Sequence, residues 1–257
     1  MYKRYPSYTL LILLFATSGI RAQDSDSWKN EINNLKISPI SGNILIIGDD
    51  KSGSTKNQRQ LSAEEYRTII DEYSKKYSGV VAVRVIGNPA SQNLEFFRFK
   101  PKPTYIVPDL NTIAKKYNLT LTNRAWAKKE IEKITKKNDS ISNSNSKGIN
   151  QFIINITNSI LNYKPNGKDV TDINDFLDHL NVLINEPQYK GKKIDIILQS
   201  DGVHDANKKT VTPLKFEMPV RLYLIGWKNK EVFQGDKLKI NYFESKDGLL
   251  ESLSDIL

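Results

Sequence analysis

The sequence predicts an α/β fold in which an open, mostly parallel sheet carries helices on both of its faces. Two observations predict it. Short runs that are almost wholly apolar, such as NILIIG at residues 43–48, are typical of strands buried on both faces. These runs alternate along the chain with longer segments whose apolar residues recur at helical spacing. Such alternation is the pattern of a parallel sheet built from strand–helix–strand units.

The first strand–helix–strand unit is predicted over residues 43–86. Its strand leads into LSAEEYRTIIDEYSKKY at 61–77, whose apolar residues fall on one face of a helix. Ser62 and Glu65 stand three residues apart at the start of this segment, which is the pattern of a capping box. The β-branched run VVAVRVI then predicts the second strand.

The C-terminal half repeats the alternation. DINDFLDHLNVLI at residues 172–184 predicts an amphipathic helix, and KIDIILQ at 193–199 predicts another buried strand. Further strands are predicted at 219–227 and 238–243, and a closing helix at 248–257.

The middle of the chain is longer than this fold needs, and residues 100–147 predict an insertion into the domain. Surface helices are predicted at 109–117 and 123–137, and a further helix at 149–163. Between the last two lies NDSISNSNSK at 138–147, which is rich in Asn and Ser and predicts a flexible loop.

The first 22 residues have the pattern of a secretory signal peptide. The basic start MYKRYPSY precedes the apolar run TLLILLFATSGI and a small residue, Ala22, at the expected cleavage point. The apolar run is shorter than the roughly 20 residues that a membrane-spanning helix needs. A cleaved leader with no membrane span after cleavage is therefore favoured over a retained anchor. Residues 23–42 then predict a polar linker into a domain at 43–257.

Composition narrows the class of protein further. The 257 residues include no cysteine, which excludes a lipoprotein leader and disulfide bonds. We therefore expect a secreted or periplasmic protein that is stabilised by burial and hydrogen bonding. The formal charge of +9 falls by three if Lys3, Arg4 and Arg21 leave with the leader. The remaining lysines are scattered along the chain, so no nucleic-acid partner is expected.

Two of the predicted strands end in unusually polar segments. GDDKSGST at 48–55 follows the first strand, and SDG, which contains Asp201, follows the strand at 193–199. Open parallel sheets bind their ligands at the carboxyl ends of the strands. Both segments therefore belong to the candidate functional edge of the sheet.

The side chains at this edge carry oxygen ligands and neither sulfur nor imidazole. The candidate set is Asp50, Ser52, Ser54, Thr171 and Asp201. The first three alternate along the chain, so on an extended backbone they point the same way. Two carboxylates and three hydroxyls suit a hard divalent cation, Mg²⁺ or Mn²⁺.

Each candidate also has a simpler structural role. Residues 50–54 fit a capped turn, and Thr171 fits the N-cap of the helix that follows it. Asp49 is expected either to face solvent or to support the site from outside, and His204 is expected at the surface. The occurrence of all the candidates at strand ends and helix starts favours the metal site.

The motif Asp-x-Ser-x-Ser at residues 50–54 resembles the metal-ion-dependent adhesion site (MIDAS) of von Willebrand factor type A (vWA) domains. Thr171, in GKDVTDINDFL, is similar to the separate threonine of that site. Asp201, in IILQSDG, is similar to its distal aspartate. The resemblance covers about residues 43–257, in the order typical of the family.

This resemblance implies a Rossmann-like vWA fold of the exported bacterial type. It also implies a protein-binding module, for adhesion or scaffolding, that depends on a divalent metal. In the family the serines and often the threonine bind the metal directly, and the aspartates frequently act through water. An acidic side chain of a partner protein then completes the metal shell.

Enzymatic functions lack their usual motifs in this sequence. It has no Gly-x-Ser-x-Gly elbow, no Walker loop and no Gly-x-Gly-x-x-Gly fingerprint. No Asp-x-Asp pair follows the first strand. We therefore expect a protein that is not an enzyme. The alternative is a metal-dependent hydrolase that acts on an exported phosphoryl substrate with the same edge of the sheet.

The leader makes a direct prediction about the mature protein. Cleavage after Ala22 would leave Gln23 as the new N-terminus, which mass spectrometry of protein recovered from its native cell envelope would detect. Intact Met1 in the membrane fraction would instead establish a retained anchor.

Overall fold

A computed structural model describes most of the chain. The described residues are 27–38, 43–51, 60–87, 96–161, 171–204, 210–228 and 230–257. The predicted leader and two candidate ligands, Ser52 and Ser54, lie outside these ranges. The described residues divide into two compact units: those within 1–35 and 108–131 form the smaller, and those within 36–107 and 132–257 form the larger.

The described ranges contain helices and strands in the following chain order. They are α1 (Ser27–Asn33), β1 (Ile37–Ser38), β2 (Ile44–Asp50), α2 (Ala63–Lys76), β3 (Val80–Ile86), β4 (Phe97–Phe99), β5 (Thr104–Tyr105), α3 (Leu110–Lys116), α4 (Leu121–Ile156), α5 (Ile173–Ile184), β6 (Ile194–Gln199), β7 (Leu214–Lys215), β8 (Val220–Ile225), β9 (Phe233–Gln234), β10 (Leu238–Phe243) and α6 (Lys246–Ile256). A π-helical turn at Thr157–Leu161 follows α4, and 3₁₀ turns lie at Pro187–Tyr189 and Lys230–Val232. None of the helices in these ranges has both the length and the apolar character that a membrane crossing requires.

The larger unit is built on a sheet to which six of the described strands contribute, in the order β10-β8-β6-β2-β3-β4. Every neighbouring pair is parallel except β3 with β4, which is antiparallel at one edge. Two smaller pairings join β1 to β5 and β7 to β9. The predicted fold class, an open and mostly parallel α/β sheet, is confirmed.

Strand β2 explains why the parallel strands are so uniformly apolar. All seven of its residues are buried, because helices cover the sheet on both faces. Ile44 and Ile46 pack in the cluster that contains residues of α5, whereas Leu45 and Ile47 pack in the cluster that contains residues of α2, α4 and α6. Alternate residues of β2 therefore face α5 and α2.

Helix α2 begins with the capping box that the sequence predicts. The Ser62 hydroxyl accepts a hydrogen bond from the Glu65 main-chain nitrogen at 3.3 Å. The Glu65 carboxylate accepts one from the Ser62 nitrogen at 2.7 Å. These two bonds satisfy amide groups that a helix start otherwise leaves without partners.

Helix α4 corrects the prediction of a flexible loop at residues 138–147. The structure has one continuous helix of 36 residues, Leu121–Ile156, where two helices and a loop were expected. Asn138 and Asn145 lie about two helical turns apart, on the same face. The Asn138 amide pairs with the main-chain nitrogen and oxygen of Tyr105 at 2.9 and 2.8 Å, and the Asn145 amide pairs with those of Lys102 at 2.8 Å each.

Tertiary contacts explain why this segment is helical despite the low helix propensity of Asn and Ser. The asparagine amides bond the main-chain groups of Lys102 and Tyr105. Farther along α4, four apolar side chains are buried against the sheet: Ile149, Phe152, Ile153 and Ile156. Packing of this kind routinely overrides intrinsic propensity.

The smaller unit contains a helix where an irregular linker was expected. Trp28 and Ile32 of α1 lie four residues apart and are both buried, which gives α1 an apolar face. The Trp28 ring meets Trp126 edge-on, with ring centroids 5.1 Å apart. The Glu31 carboxylate accepts hydrogen bonds from Lys116 at 2.7 Å and from the Tyr117 hydroxyl at 2.6 Å.

Gly79, at the entry to β3, provides a test of the packing in the larger unit. A Cβ atom there would lie 1.7 Å from the main-chain oxygen of Asn43 and 2.4 Å from the Tyr73 hydroxyl oxygen. Because a main-chain atom cannot swing aside, Gly79→Ala is expected to lower the free energy of unfolding by about 1–3 kcal/mol or more in urea denaturation.

Gly248→Ala is the matched control. Its Cβ would lie 3.6 Å from Phe243, an ordinary contact, and alanine favours a helix such as α6 by up to about 1 kcal/mol. Equal destabilisation by the two substitutions would contradict the close approach at Gly79.

Candidate metal centre

The carboxyl ends of β2 and β6 lie side by side at the centre of the sheet. Strand β2 pairs with β6 on one side and with β3 on the other. After β2 the chain passes through α2 to β3, which lies on one side of β2. After α5 it enters β6, which lies on the other side of β2. The strand order therefore reverses at β2, which is where open α/β sheets bind ligands.

Asp50 is the last residue of β2 and is completely buried. Its Oδ2 accepts a hydrogen bond of 2.6 Å from the hydroxyl of Ser200, which directly follows β6. The Ser200 oxygen in turn accepts a bond of 3.0 Å from the Gly202 main-chain nitrogen. Ser200 therefore orients Asp50 across the strand pair. Sequence reasoning missed this role, although Ser200 stands directly before the predicted ligand Asp201.

Asp201 lies in the turn after β6 and is 5% exposed. Its Oδ1 accepts a bond of 3.0 Å from the Val203 nitrogen, and its main-chain oxygen accepts one of 3.2 Å from the Lys228 nitrogen. Gly202 has a φ of +72°, and a Cβ there would lie 3.0–3.1 Å from the Trp227 indole. Positive φ and close packing both favour glycine at this position, so the turn that carries Asp201 is tightly held.

Thr171 is 1% exposed and lies two residues before the first residue of α5. The Asp172 nitrogen donates to the main-chain oxygen of Gly87, just beyond β3, at 3.1 Å. Asp172 also caps α5, since its Oδ1 accepts from the Asp175 nitrogen at 3.0 Å. The expectation that Thr171 is the N-cap is therefore wrong, because the following residue has that role.

His204 joins the turn after β6 to the start of α5. Its Nδ1 accepts a hydrogen bond of 3.2 Å from the Ile173 nitrogen and lies 3.8 Å from Asp172 Oδ1. Its side chain is only 3% exposed, so the expectation of a surface histidine is wrong. The ring satisfies a first-turn amide that α5 cannot satisfy itself. No pattern in the sequence signals this long-range contact.

Asp49 points to the opposite face of the sheet from Asp50, because side chains alternate along a strand. Its Oδ2 accepts a hydrogen bond of 2.7 Å from the Tyr66 hydroxyl and lies 2.6 Å from the Lys51 ammonium. Burial raises the pKa of the Asp49 carboxyl, and Lys51 and Tyr66 oppose that rise. Asp49 is completely buried, so it does not face solvent. Lys51 therefore forms its ion pair with Asp49, on the face of the sheet that α2 covers.

The structure brings Asp50, Thr171 and Asp201 to one edge of the larger unit. Ser52 and Ser54 lie outside the described residues. Within the ranges that the structure describes, no three His, Cys, Asp or Glu side chains form a cluster that could hold a metal by themselves. The donors at this edge are carboxylate and hydroxyl oxygens, which fit a hard cation that takes further oxygen ligands from water or another molecule.

No family model matches the chain, and no curated protein matches it. Among solved structures it is similar to two of proximal thread matrix protein 1 from the mussel byssus, one of them with a zinc-occupied MIDAS motif. The identities are 10% and 13%, and the TM-scores are 0.38 and 0.36. The matches cover 86% and 85% of this chain, which spans 46% and 48% of those chains. Scores this low do not establish kinship.

Replacing Ser200 tests the bond that orients Asp50. Ser200→Ala removes a buried donor to Asp50 and the acceptor of the Gly202 nitrogen. We expect the free energy of unfolding of the metal-free chain to fall by about 1–3 kcal/mol, measured by urea denaturation.

Ser254→Ala is the control, because Ser254 is an exposed residue of α6 whose hydroxyl makes only a 3.4 Å contact with Asp255. Its effect should stay within about 0.5 kcal/mol. If Ser200→Ala changed the free energy of unfolding as little as Ser254→Ala does, the orienting role of Ser200 would be refuted.

Proposed function

We propose that this chain is an exported protein-binding module, for adhesion or scaffolding, that engages its partner through a divalent metal at the carboxyl edge of the sheet. The observation that supports the proposal is the position of Asp50, Thr171 and Asp201, which lie at or next to the carboxyl ends of β2, β3 and β6. They come from three distant parts of the sequence. The motif at residues 50–54, with its resemblance to the vWA adhesion site, supports the same function.

The proposed ligands of Mg²⁺ or Mn²⁺ are Asp50, Ser52, Ser54, Thr171 and Asp201. All five offer oxygen, the ligand that both ions prefer. When bound, such an ion supplies a Lewis acid that can accept a carboxylate oxygen from an Asp or Glu of the partner protein. Specificity for the partner would then depend on the surface around this contact as well as on the ion.

Several residues of the chain prepare this edge for a cation. Ser200 orients the Asp50 carboxylate with a neutral hydroxyl and brings no opposite charge to it. Lys51 stands inside the motif but pairs with Asp49, which directs its positive charge to the other face of β2. His204 and Gly87 hold the start of α5, and therefore Thr171, near the strand ends.

Removal of either carboxylate should abolish most of the metal affinity. Asp50→Asn keeps the size of the side chain and can still accept a hydrogen bond from Ser200, but it loses the charge. We expect calorimetry to find that Asp50→Asn and Asp201→Asn bind Mg²⁺ and Mn²⁺ at least about tenfold more weakly than the wild type. Because an ion that binds only the folded state stabilises it, the wild type should also show a metal-dependent rise in Tm that Asp50→Asn loses.

Asp236→Asn is the control, since it removes an exposed carboxylate from the turn before β10. It should bind metal as the wild type does. Absence of binding to the wild type at millimolar Mg²⁺ or Mn²⁺ would refute the proposal. Metal-dependent turnover of a generic phosphoester such as p-nitrophenyl phosphate would favour the hydrolase instead.

A further inference from the structure

Gln60 bridges the two residues at the end of β2. Its Nε2 donates a hydrogen bond of 3.2 Å to the main-chain oxygen of Asp50. Its Oε1 accepts one of 3.3 Å from the Lys51 ammonium. The strand makes a last ladder contact there, from the Lys51 nitrogen to the Ile86 oxygen at 3.1 Å. Gln60 therefore supplies polar partners at the point where β2 leaves the sheet.

Lys246, the first residue of α6, holds Gln60 from the other side. Its ammonium donates to the main-chain oxygen of Gln60 at 2.9 Å and pairs with the Glu65 carboxylate at 2.7 Å. Lys246 is 8% exposed. A continuous set of polar contacts thus connects α6 and the start of α2 to the backbone of Asp50.

The contact between α2 and α6 does not explain why the Lys246 ammonium is buried, because a second lysine joins the same two helices from an exposed position. Near the other end of α2, Lys76 donates to the main-chain oxygen of Ser254 in α6 at 2.6 Å, and this contact is exposed. Burying a charged group is costly unless it is fully paired. The distinctive property of Lys246 is its contact with Gln60, which touches the end of β2.

We infer that Gln60 and Lys246 are positioning residues that hold the backbone of Asp50 and Lys51 in place and so preset the metal centre. The metal part of this inference rests on the proposed function. Residues that orient metal ligands from outside the coordination shell commonly change metal affinity by about 10- to 100-fold when they are replaced. Gln60 donates a hydrogen bond to the main-chain oxygen of Asp50, and Ser200 donates one to its carboxylate. The two residues together hold both the main chain and the side chain of Asp50.

Amide hydrogen exchange of the full-length, metal-free chain tests the positioning directly. Gln60→Met keeps the length of the side chain and removes both of its hydrogen bonds, and Lys246→Met removes the ammonium. In both variants the Lys51 amide should exchange at least about fivefold faster, which corresponds to the loss of about one net hydrogen bond. The amide of Ile46, in the middle of β2, should change less.

Lys76→Met is the matched control, since it removes a lysine that also joins α2 to α6. It should leave exchange at Lys51 unchanged. In calorimetry with Mn²⁺, Gln60→Met and Lys246→Met should bind about tenfold more weakly than the wild type, and Lys76→Met should bind normally. The double variant of Gln60 and Lys246 should lose less affinity than the two single losses combined, because both residues act on the same strand end.

The outcomes separate this inference from the proposed function. Unchanged exchange at Lys51 in Gln60→Met would overturn the positioning role, whether or not the chain binds metal. Faster exchange with unchanged Mn²⁺ affinity would overturn the presetting of the metal centre. A wild type that binds no Mn²⁺ would refute the proposed function, and the exchange result would still decide the positioning role.

Discussion

The candidate site depends on the register of β2 between β3 and β6. Asp49 lies opposite Gln199 of β6, and Asp50 lies opposite Ile86 of β3. This register sets Ser200, the next residue after β6, beside the Asp50 carboxylate. A slip of one residue would exchange the two faces of β2 and turn Asp50 toward α2. The apolar residues that alternate between the two cores therefore also determine which carboxylate reaches the candidate site.

The two faces of β2 differ in their electrostatics. On the α2 face the Asp49 charge meets the Lys51 ammonium at 2.6 Å and the Tyr66 hydroxyl at 2.7 Å. On the α5 face the Asp50 carboxylate is oriented by the neutral Ser200 hydroxyl. The two adjacent aspartates therefore have different partners: Asp49 is in a buried ion pair, and Asp50 accepts a hydrogen bond from a neutral hydroxyl.

Another buried aspartate, at the opposite end of the strands, has a structural role in this sheet. Asp195, near the start of β6, is completely buried and accepts two hydrogen bonds from the Arg221 guanidinium, at 2.5 and 2.8 Å. Burial raises the pKa of Asp195, and Arg221 opposes that rise. This pair belongs to the amino end of the strands, away from the carboxyl edge. Position along the strand thus separates Asp195 from Asp50.

The parallel strands and the amphipathic helices could be predicted from the sequence because burial on one or both faces sets a local period. The strand at 238–243 agrees with the structure for this reason, and the capping box of α2 agrees because its two hydrogen bonds join residues only three apart. Long-range contacts leave no such period. Asn138 and Asn145 are residue types that favour loops. In the structure they lie within the continuous helix α4, where their amides bond the main chain of Tyr105 and Lys102.

For the candidate site, local sequence patterns indicate which residues adjoin a strand end or a helix start, but they do not indicate long-range partners. Asp50, Thr171 and Asp201 could be assigned to one edge because each adjoins a strand end or a helix start. The roles of Asp49 and His204 could not be assigned, since each depends on a partner far away in sequence. Alternation along β2 would have separated Asp49 from Asp50, but it does not identify Tyr66 as the partner of Asp49.

Anomalous diffraction from crystals of the full-length chain grown with Mn²⁺ would test the central claim most directly. We expect an anomalous peak at the carboxyl edge of β2 and β6, in contact with the Thr171 hydroxyl and within direct or water-bridged reach of Asp50 and Asp201. A map with no peak beside these residues, or with its strongest peak elsewhere on the molecule, would contradict a metal-dependent binding site at this edge.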